Sequence, residues 1–397
     1  MADVVQAGPK PTGGSSFVND PKVRSVVLQL LAAALVIFLA WDFYDNARQN
    51  LAAQKIASGF GFLDNTAGFG ISQALVPYTE TSTYGRALLV GVLNTLLVAV
   101  VGIFFATVFG FLVGIGRLSK NYVIRLISTC YVELLRNLPL LFQILFWYLA
   151  VLSAMPGPRQ SINLFDEVFI SNRGIIMPRP LFGDGSDVVL WALGLGVFAS
   201  VLFSGWAKQR QEDTGRLLPV FWINATMIVG LLLLALIATN FPISFERPEL
   251  RGFNFAGGVR ILPEFVALTL ALATYTGAFI AEIVRSGIVS VSHGQTEAAT
   301  SLGLRNGPTL RLVVIPQAMR VIIPPLTSQY LNLTKNSSLA VGIGYPDLVS
   351  VFAGTTLNQT GQAIEIIAIT MGIYLLISVI TSIIMNTYNK RVALIER

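Results

Sequence analysis

Eight apolar stretches of bilayer-spanning length constrain this chain more than any other feature. They cover residues 23–41, 87–116, 126–153, 188–206, 217–239, 264–291, 321–344 and 362–388. About 20 consecutive apolar residues, coiled as a helix, cross the ~30 Å hydrocarbon layer of a bilayer. No water there can satisfy backbone N–H and C=O groups, so such runs close their hydrogen bonds within the segment, as α-helices. The expected fold class is an all-α membrane protein of about eight transmembrane helices. The charge content agrees, at 12% of the chain against about 25% in soluble domains.

The remaining composition excludes several functions. The net charge is +6, but the basic residues are scattered at the ends of the spans, a pattern of membrane topology and not of nucleic-acid binding. One cysteine allows no internal disulfide, and Cys130, inside an apolar run, reads as a small buried hydrophobe. One histidine and one cysteine supply no zinc-type ligand set, so no metal site is expected. No G-x-x-x-x-G-K-[ST] stretch occurs, so any ATP hydrolysis belongs to another chain. Residues 1–22, polar and rich in Pro and Gly, read as a loosely held tail with no short apolar leader after Met1. Residues 42–84 read as a long connection with a short amphipathic piece at 51–56, and 155–187 and 240–263 as polar connections.

Charge also orients the chain. With residues 1–22 in the cytoplasm, the cytoplasmic segments hold 16 Lys and Arg, against 9 in the longer outer segments. That is the positive-inside bias, and eight crossings return residues 390–397 to the cytoplasm.

On that same side lies a polar interruption, residues 293–316, HGQTEAATSLGLRNGPTLRLVVIP. It reads as two short helices with a kink. Ser292 and Gln295 have capping-box spacing, Gly303 suits a helix end with positive φ, and Pro308 suits the first turn of a second helix. Glu297-Ala298-Ala299, then Gly303, then Val313-Val314-Ile315-Pro316 resembles the EAA loop in the membrane subunits of bacterial ABC importers. Val313 and Ile315 stand where that pattern has Ile and Leu, changes conservative in volume. The resemblance implies that Gly294, Glu297, Ala298, Ala299, Gly303 and Pro316 form a coupling helix that docks on a separate ATPase. It also implies a five-helix type I importer core. Spans two, three, six, seven and eight are expected to supply it, within a transmembrane domain at 87–389 whose coupling loop is 292–316. An added helix and connection at 23–86 and an inserted helical hairpin at 188–239 complete the expected organisation.

Other stretches narrow the resemblance. Asn94-Thr95, Glu133-Leu134-Leu135-Arg136-Asn137-Leu138-Pro139, Ala281-Glu282-Ile283-Val284-Arg285 and Leu333-Thr334-Lys335-Asn336-Ser337-Ser338-Leu339 are similar to segments of the histidine/glutamate-type permeases. The added spans are most similar to the general L-amino-acid permeases of Gram-negative bacteria. Such a subunit implies two ATP-binding subunits carrying ATP and Mg²⁺, a second permease chain (a heterodimer being favoured), a periplasmic amino-acid-binding protein and a bacterial inner membrane. It implies no cofactor on this chain and no catalysis.

Charged and polar groups at membrane depth face a cavity or a partner. Asn94, Thr95, Glu133, Arg136, Glu282, Lys335, Asn336 and Ser337 are therefore the expected substrate path. Glu282 or Glu133 would meet an ammonium group, and Lys335, Asn94 and Thr95 a carboxylate. The competing reading for Glu133/Arg136 and Glu282/Arg285, each three residues apart, is local pairing on one helix face. The alternatives for the whole chain are an importer subunit for another polar metabolite, such as an opine, or an ion-coupled secondary carrier, which would need internal repeats and broken helices at the midplane.

Overall fold

A computed structural model describes residues 21–53 and 59–392. The expected tails, at 1–20 and 393–397, and residues 54–58 of the expected amphipathic region lie outside them. The helices are α1 (Pro21–Ala53), α2 (Tyr84–Gly116), α3 (Tyr122–Asn137), α4 (Leu140–Leu145, prolonged by π turns to Leu152), α5 (Ser186–Thr214) and α6 (Val220–Ala238). They continue as α7 (Pro263–Val289), α8 (His293–Ser301), α9 (Asn306–Thr309), α10 (Ile315–Asn336), α11 (Leu357–Thr360) and α12 (Ala363–Val392). Among the described residues seven helical segments are long and apolar enough to cross a membrane, and a bent pair makes an eighth.

The bent pair corrects the expected continuous third span, since α3 and α4 meet at 111°. The break follows from Leu138-Pro139. A residue before proline is pushed out of the helical region, and Leu138 is extended at φ −98°, ψ 134°. The Gln143 side-chain amide donates to the carbonyls of Leu135 (2.9 Å) and Leu138 (3.1 Å), which partners acceptors freed by the break. α3 buries only Ser128 and Val132. Cys130, expected inside, is therefore exposed.

A second correction concerns the seventh span. The span expected to begin at residue 321 belongs to a helix that starts at Ile315, so Pro324 and Pro325 lie inside α10 and not at its start. The helix begins earlier because α9 runs through a π turn, Leu310–Val314, directly into α10. The second arm of the polar loop is thus the first turn of a membrane helix.

The centre of the bundle is α7, packed between α2 and α10. Gly102, Ala106, Gly110 and Gly114 recur every four residues and so share one face of α2. A Cβ on Gly110 would lie 2.5 Å from Ile280 Cβ, and one on Gly114 2.7 Å from the Ala281 carbonyl oxygen. Only bare Cα atoms let the backbones approach this closely, the small-residue mode by which membrane helices associate. The core cluster joins Val98, Leu268, Leu272, Ile280, Ile322 and Leu333 from these three helices. A second cluster closes the outer end, where Phe62 packs on Tyr84 and Phe352. There the Gly59 amide donates to Glu365 Oε1 at 2.6 Å, holding residues 59–83 over α12.

The two connections flanking the α5–α6 hairpin, expected as polar loops, contain eight short strands: β1 (Ile162–Leu164), β2 (Val168–Ser171), β3 (Gly174–Met177), β4 (Arg179–Phe182), β5 (Ile243–Glu246), β6 (Glu249–Arg251), β7 (Asn254–Ala256) and β8 (Val259–Ile261). They pair as an antiparallel sheet β1-β2-β3-β8 and two ribbons, β4-β5 and β6-β7. Strands before α5 pair with strands after α6, so the two connections fold as one cap. Each strand is three or four residues long, too short for its alternation to stand out in the sequence.

Candidate functional site

α8 hangs below α7 as a one-sided helix. Ala299 turns inward, while Gly294, Glu297, Ala298, Gly303 and Pro316 are exposed. The helix starts at His293 as the spacing predicts, but the capping box does not form. Ser292 makes no side-chain cap bond, and Gln295 Oε1 instead accepts from Gln317 Nε2 of α10 at 3.2 Å. At the other end, Gly303 N–H donates to Thr300 O (2.9 Å) and Leu304 N–H to Ala299 O (3.1 Å). This is the Schellman arrangement, which needs a left-handed residue, and Gly303 supplies φ +80°. A Cβ there would meet nothing within 4 Å. Gly303 is therefore required for its backbone conformation, and the space beside it is open.

The exposed face carries Glu297, whose Oε1 lies 3.0 Å from His293 Nδ1, and Leu302, 83% exposed. Leu302 went unnoticed in the sequence. The available signal was an apolar side chain at the tip of a polar loop, directly before the glycine that turns the chain back.

Above α8 the charged residues of three helices converge. Arg285 Nη2 donates to Glu282 Oε1 at 2.6 Å. Arg117, which ends α2, pairs with Glu282 Oε2 and reaches Glu133 Oε1 at 3.5 Å. Arg136 Nη1 lies 4.0 Å from Glu282 Oε2, and its guanidinium covers the Phe279 ring at 5.2 Å. The local pair Glu282–Arg285 thus forms, but Glu133 pairs with Arg117 and not with its own-helix neighbour Arg136. Both Glu133 and Arg136 lie on α3, before the bend, and each meets a charge from another helix. Glu282 is the hub, with both carboxylate oxygens engaged by guanidinium groups of this chain. In the sequence Arg117 stands only among the 16 basic residues of the cytoplasmic segments. Its role depends on the end of α2 meeting α7, which no local pattern reports.

Asn94 and Thr95 form a separate cluster. Both are fully buried. Asn94 Nδ2 donates to the carbonyls of Gln73 and Pro346, each at 2.8 Å, and Thr95 Oγ1 accepts from Leu348 N–H at 3.0 Å. Together they clamp the irregular segment after α10 against α2, where Gly91 lets Leu348 approach. Asp347, also fully buried, accepts from Ser350 N–H (2.8 Å) and from the Tyr374 hydroxyl (3.4 Å). Ser337 is buried and donates to Thr334 O at 2.7 Å, whereas Lys335 is exposed and Asn336 half-buried.

The structure therefore does not bring the eight expected path residues together: Glu133, Arg136 and Glu282 join one cluster, Asn94 and Thr95 another, and Lys335 and Asn336 neither. A cleft of about 790 Å³ lies between α2 and α7 under the β cap, lined by Leu97, Phe105, Phe265, Leu270, Gln73 and Arg260 among others, and none of the eight lines it. No group of three or more His, Cys, Asp or Glu side chains able to hold a metal occurs among the described residues.

Sequence comparison agrees with this architecture. The family model described as binding-protein-dependent transport system inner membrane component matches residues 106–394. The chain is 53% identical over 385 residues to the protein YhdX of Escherichia coli (strain K12), covering 97% of this chain and 98% of that one. It is 52% identical over 382 residues to the general L-amino acid transport system permease protein AapQ of Rhizobium johnstonii, covering 96% and 95%. It is 41% identical over 417 residues to the glutamate/glutamine/aspartate/asparagine transport system permease protein BztB of Rhodobacter capsulatus, covering 96% and 97%.

Proposed function

The chain belongs to the family of binding-protein-dependent transport system inner membrane components, and from that premise we propose that it is the membrane subunit of an ATP-driven amino-acid importer. It performs no catalysis. The hydrolysis is done by a pair of ATP-binding subunits holding ATP and Mg²⁺, a periplasmic binding protein delivers the amino acid, and a second, related permease chain completes the path as a heterodimer. The single observation that carries the coupling role is α8. It is a short helix with an exposed small-residue face and an exposed Leu302, held by the Gly303 turn between two core helices.

A push on α8 has a defined route. Its N-terminal end follows α7 directly, and α7 carries Glu282, which grips α2 through Arg117 and the bent α3 through Arg136. Its C-terminal end continues through α9 into α10. Docking that favours one arrangement of α8 shifts these four helices between an inward-open and an outward-open state, and the subunit does no more than exchange those populations. Glu282 serves this route as a brace, since a substrate ammonium would have to compete with Arg117 and Arg285 for it. Substrate discrimination is assigned to the binding protein and to the space enclosed by the two permease chains.

The test is ATP-dependent uptake of labelled amino acids in proteoliposomes holding the whole complex and binding protein, with wild type beside Gly303→Asp. Uptake that requires ATP, together with loss of both transport and ATPase retention in the variant, supports the reading. Uptake driven by an ion gradient without ATP overturns it and makes the chain a secondary carrier.

A further inference from the structure

The ribbon β4-β5 has two chemically different faces, and its register shows which residues share each. Phe182 pairs with Ile243 and Pro180 with Phe245, while Leu181 pairs with Ser244 and Arg179 with Glu246. Directly opposite residues point to the same side, and successive pairs alternate. One face is therefore Pro180, Phe182, Ile243 and Phe245, wholly apolar. The other ends in the charged pair Arg179 and Glu246.

The apolar face has no cover among the described residues. Phe182 is 64% exposed and Phe245 62%. Phe241, which links α6 to the ribbon at φ +54°, is exposed as well. Exposed aromatic side chains at this density would be costly in water.

From this face the geometry points to a membrane-interface anchor, in which β4-β5 lies on the outer leaflet with Phe182 and Phe245 at the acyl–headgroup boundary. The argument rests on continuity with the spans. Three residues separate Phe182 from Ser186, where α5 begins, and four separate Ala238, the end of α6, from Ile243. The pairing runs into these links, because Gly183 N–H donates to Pro242 O at 2.8 Å. The ribbon therefore starts at the bilayer surface by construction. Phe245 lies two residues beyond Ile243, about 7 Å further along the strand at ~3.3 Å per residue. The headgroup layer on one side is only about 5–8 Å deep, so an upright ribbon, already raised on its three- and four-residue links, would carry Phe245 out into water. A ribbon laid over keeps both phenylalanines at the boundary and leaves Arg179 and Glu246 facing water. Trp191, 79% exposed in the second turn of α5, adds the aromatic residue that membrane interfaces favour. The ribbon thereby fixes the depth and tilt of the inserted hairpin and supports the β cap above the core.

Site-directed spin labelling of the assembled complex in vesicles of phosphatidylethanolamine and phosphatidylglycerol tests this. Single cysteines at Phe182→Cys, Leu181→Cys, Phe245→Cys and Ser244→Cys are placed in a Cys130→Ser background and probed with oxygen and with a water-soluble nickel chelate. These are exposed positions, and uptake activity reports that each variant is folded. The expected result is an inversion between adjacent residues: oxygen is the stronger relaxant at 182 and 245, and the nickel chelate at 181 and 244. Nickel access at all four positions means that the ribbon stands in water and overturns the proposal. Protection of 182 and 245 from both reagents means that a protein partner covers the face, and overturns it equally.

Discussion

α7 and α6 are both spans, yet they occupy opposite places in the molecule. Buried residues make up 61% of the best α7 window and 6% of that in α6, although α6 has the higher mean hydropathy. The difference shows what hydropathy measures in a membrane protein. A helix surrounded by lipid must be apolar on every side, whereas a helix surrounded by protein can spend positions on glycine, alanine, threonine and charge. α7 does so, with Gly277, Ala278, Ala281, Glu282 and Arg285 on successive turns. The ion-pair hub lies on the less hydropathic span of the two, and the more hydropathic α6 packs mainly against α5.

Several substitutions can break or sharpen this comparison. The largest effect is expected from Gly110→Leu, which would drive a side chain into Ile280. Overpacking costs about 1–3 kcal/mol even for a few methylenes, and the complex should fail to assemble in size-exclusion chromatography. Gly194→Leu in α5 is the matched control, because a Cβ there meets nothing within 4 Å. It should assemble and transport as wild type, and equal damage at both sites would abolish the distinction between core and attachment.

The next effect is at the ion-pair hub. Glu282→Gln leaves Arg117 and Arg285 without their shared carboxylate, while Glu133→Gln removes only a 3.5 Å contact from a largely exposed side chain. The first should cost about 1–3 kcal/mol, between surface and buried ion pairs, and the second less than about 1. Thermal unfolding of the detergent-solubilised complex would measure both. If the brace reading holds, Glu282→Gln also uncouples ATP hydrolysis from uptake, and a purely raised substrate KM at normal stability would instead favour direct substrate contact.

Thr95→Val should come third. It strands the buried Leu348 N–H, at a cost of about 1–3 kcal/mol, and should raise hydrogen exchange in residues 346–356 without affecting α8. Smallest is Gly303→Ala, which places a Cβ in a left-handed conformation at about 1–2 kcal/mol. Gly303→Asn should recover most of the loss, since asparagine tolerates that region. ATPase stimulation that falls for Ala and returns for Asn would show that conformation sets the requirement. Loss in both would instead point to packing of the bare glycine against the docked subunit.

Much of this was legible in the chain because its causes are local. Membrane length, the absence of a phosphate-binding loop, the α8 helix and the positive φ at Gly303 follow from runs of residues a few positions apart. The EAA-type spacing is likewise a property of one short segment. The parts that escaped depend on which elements meet. Nothing near Arg117 announces that it will end against Glu282, 165 positions away. Asn94 and Thr95, read as path residues, clamp residues 346–348 because Gly91 allows that segment close. The β cap forms from strands on either side of a whole hairpin, each too short to declare itself.

The sequence by itself determined that the chain is a membrane bundle, where the polar loop interrupts it and how that loop turns, since bilayer thickness and backbone sterics act on single segments. Tertiary structure alone decided that the third span breaks at 111°, that three helices share one carboxylate and that a ribbon leaves its apolar face exposed. Those outcomes depend on distances between segments, and such distances exist only once close packing has fixed which surfaces touch.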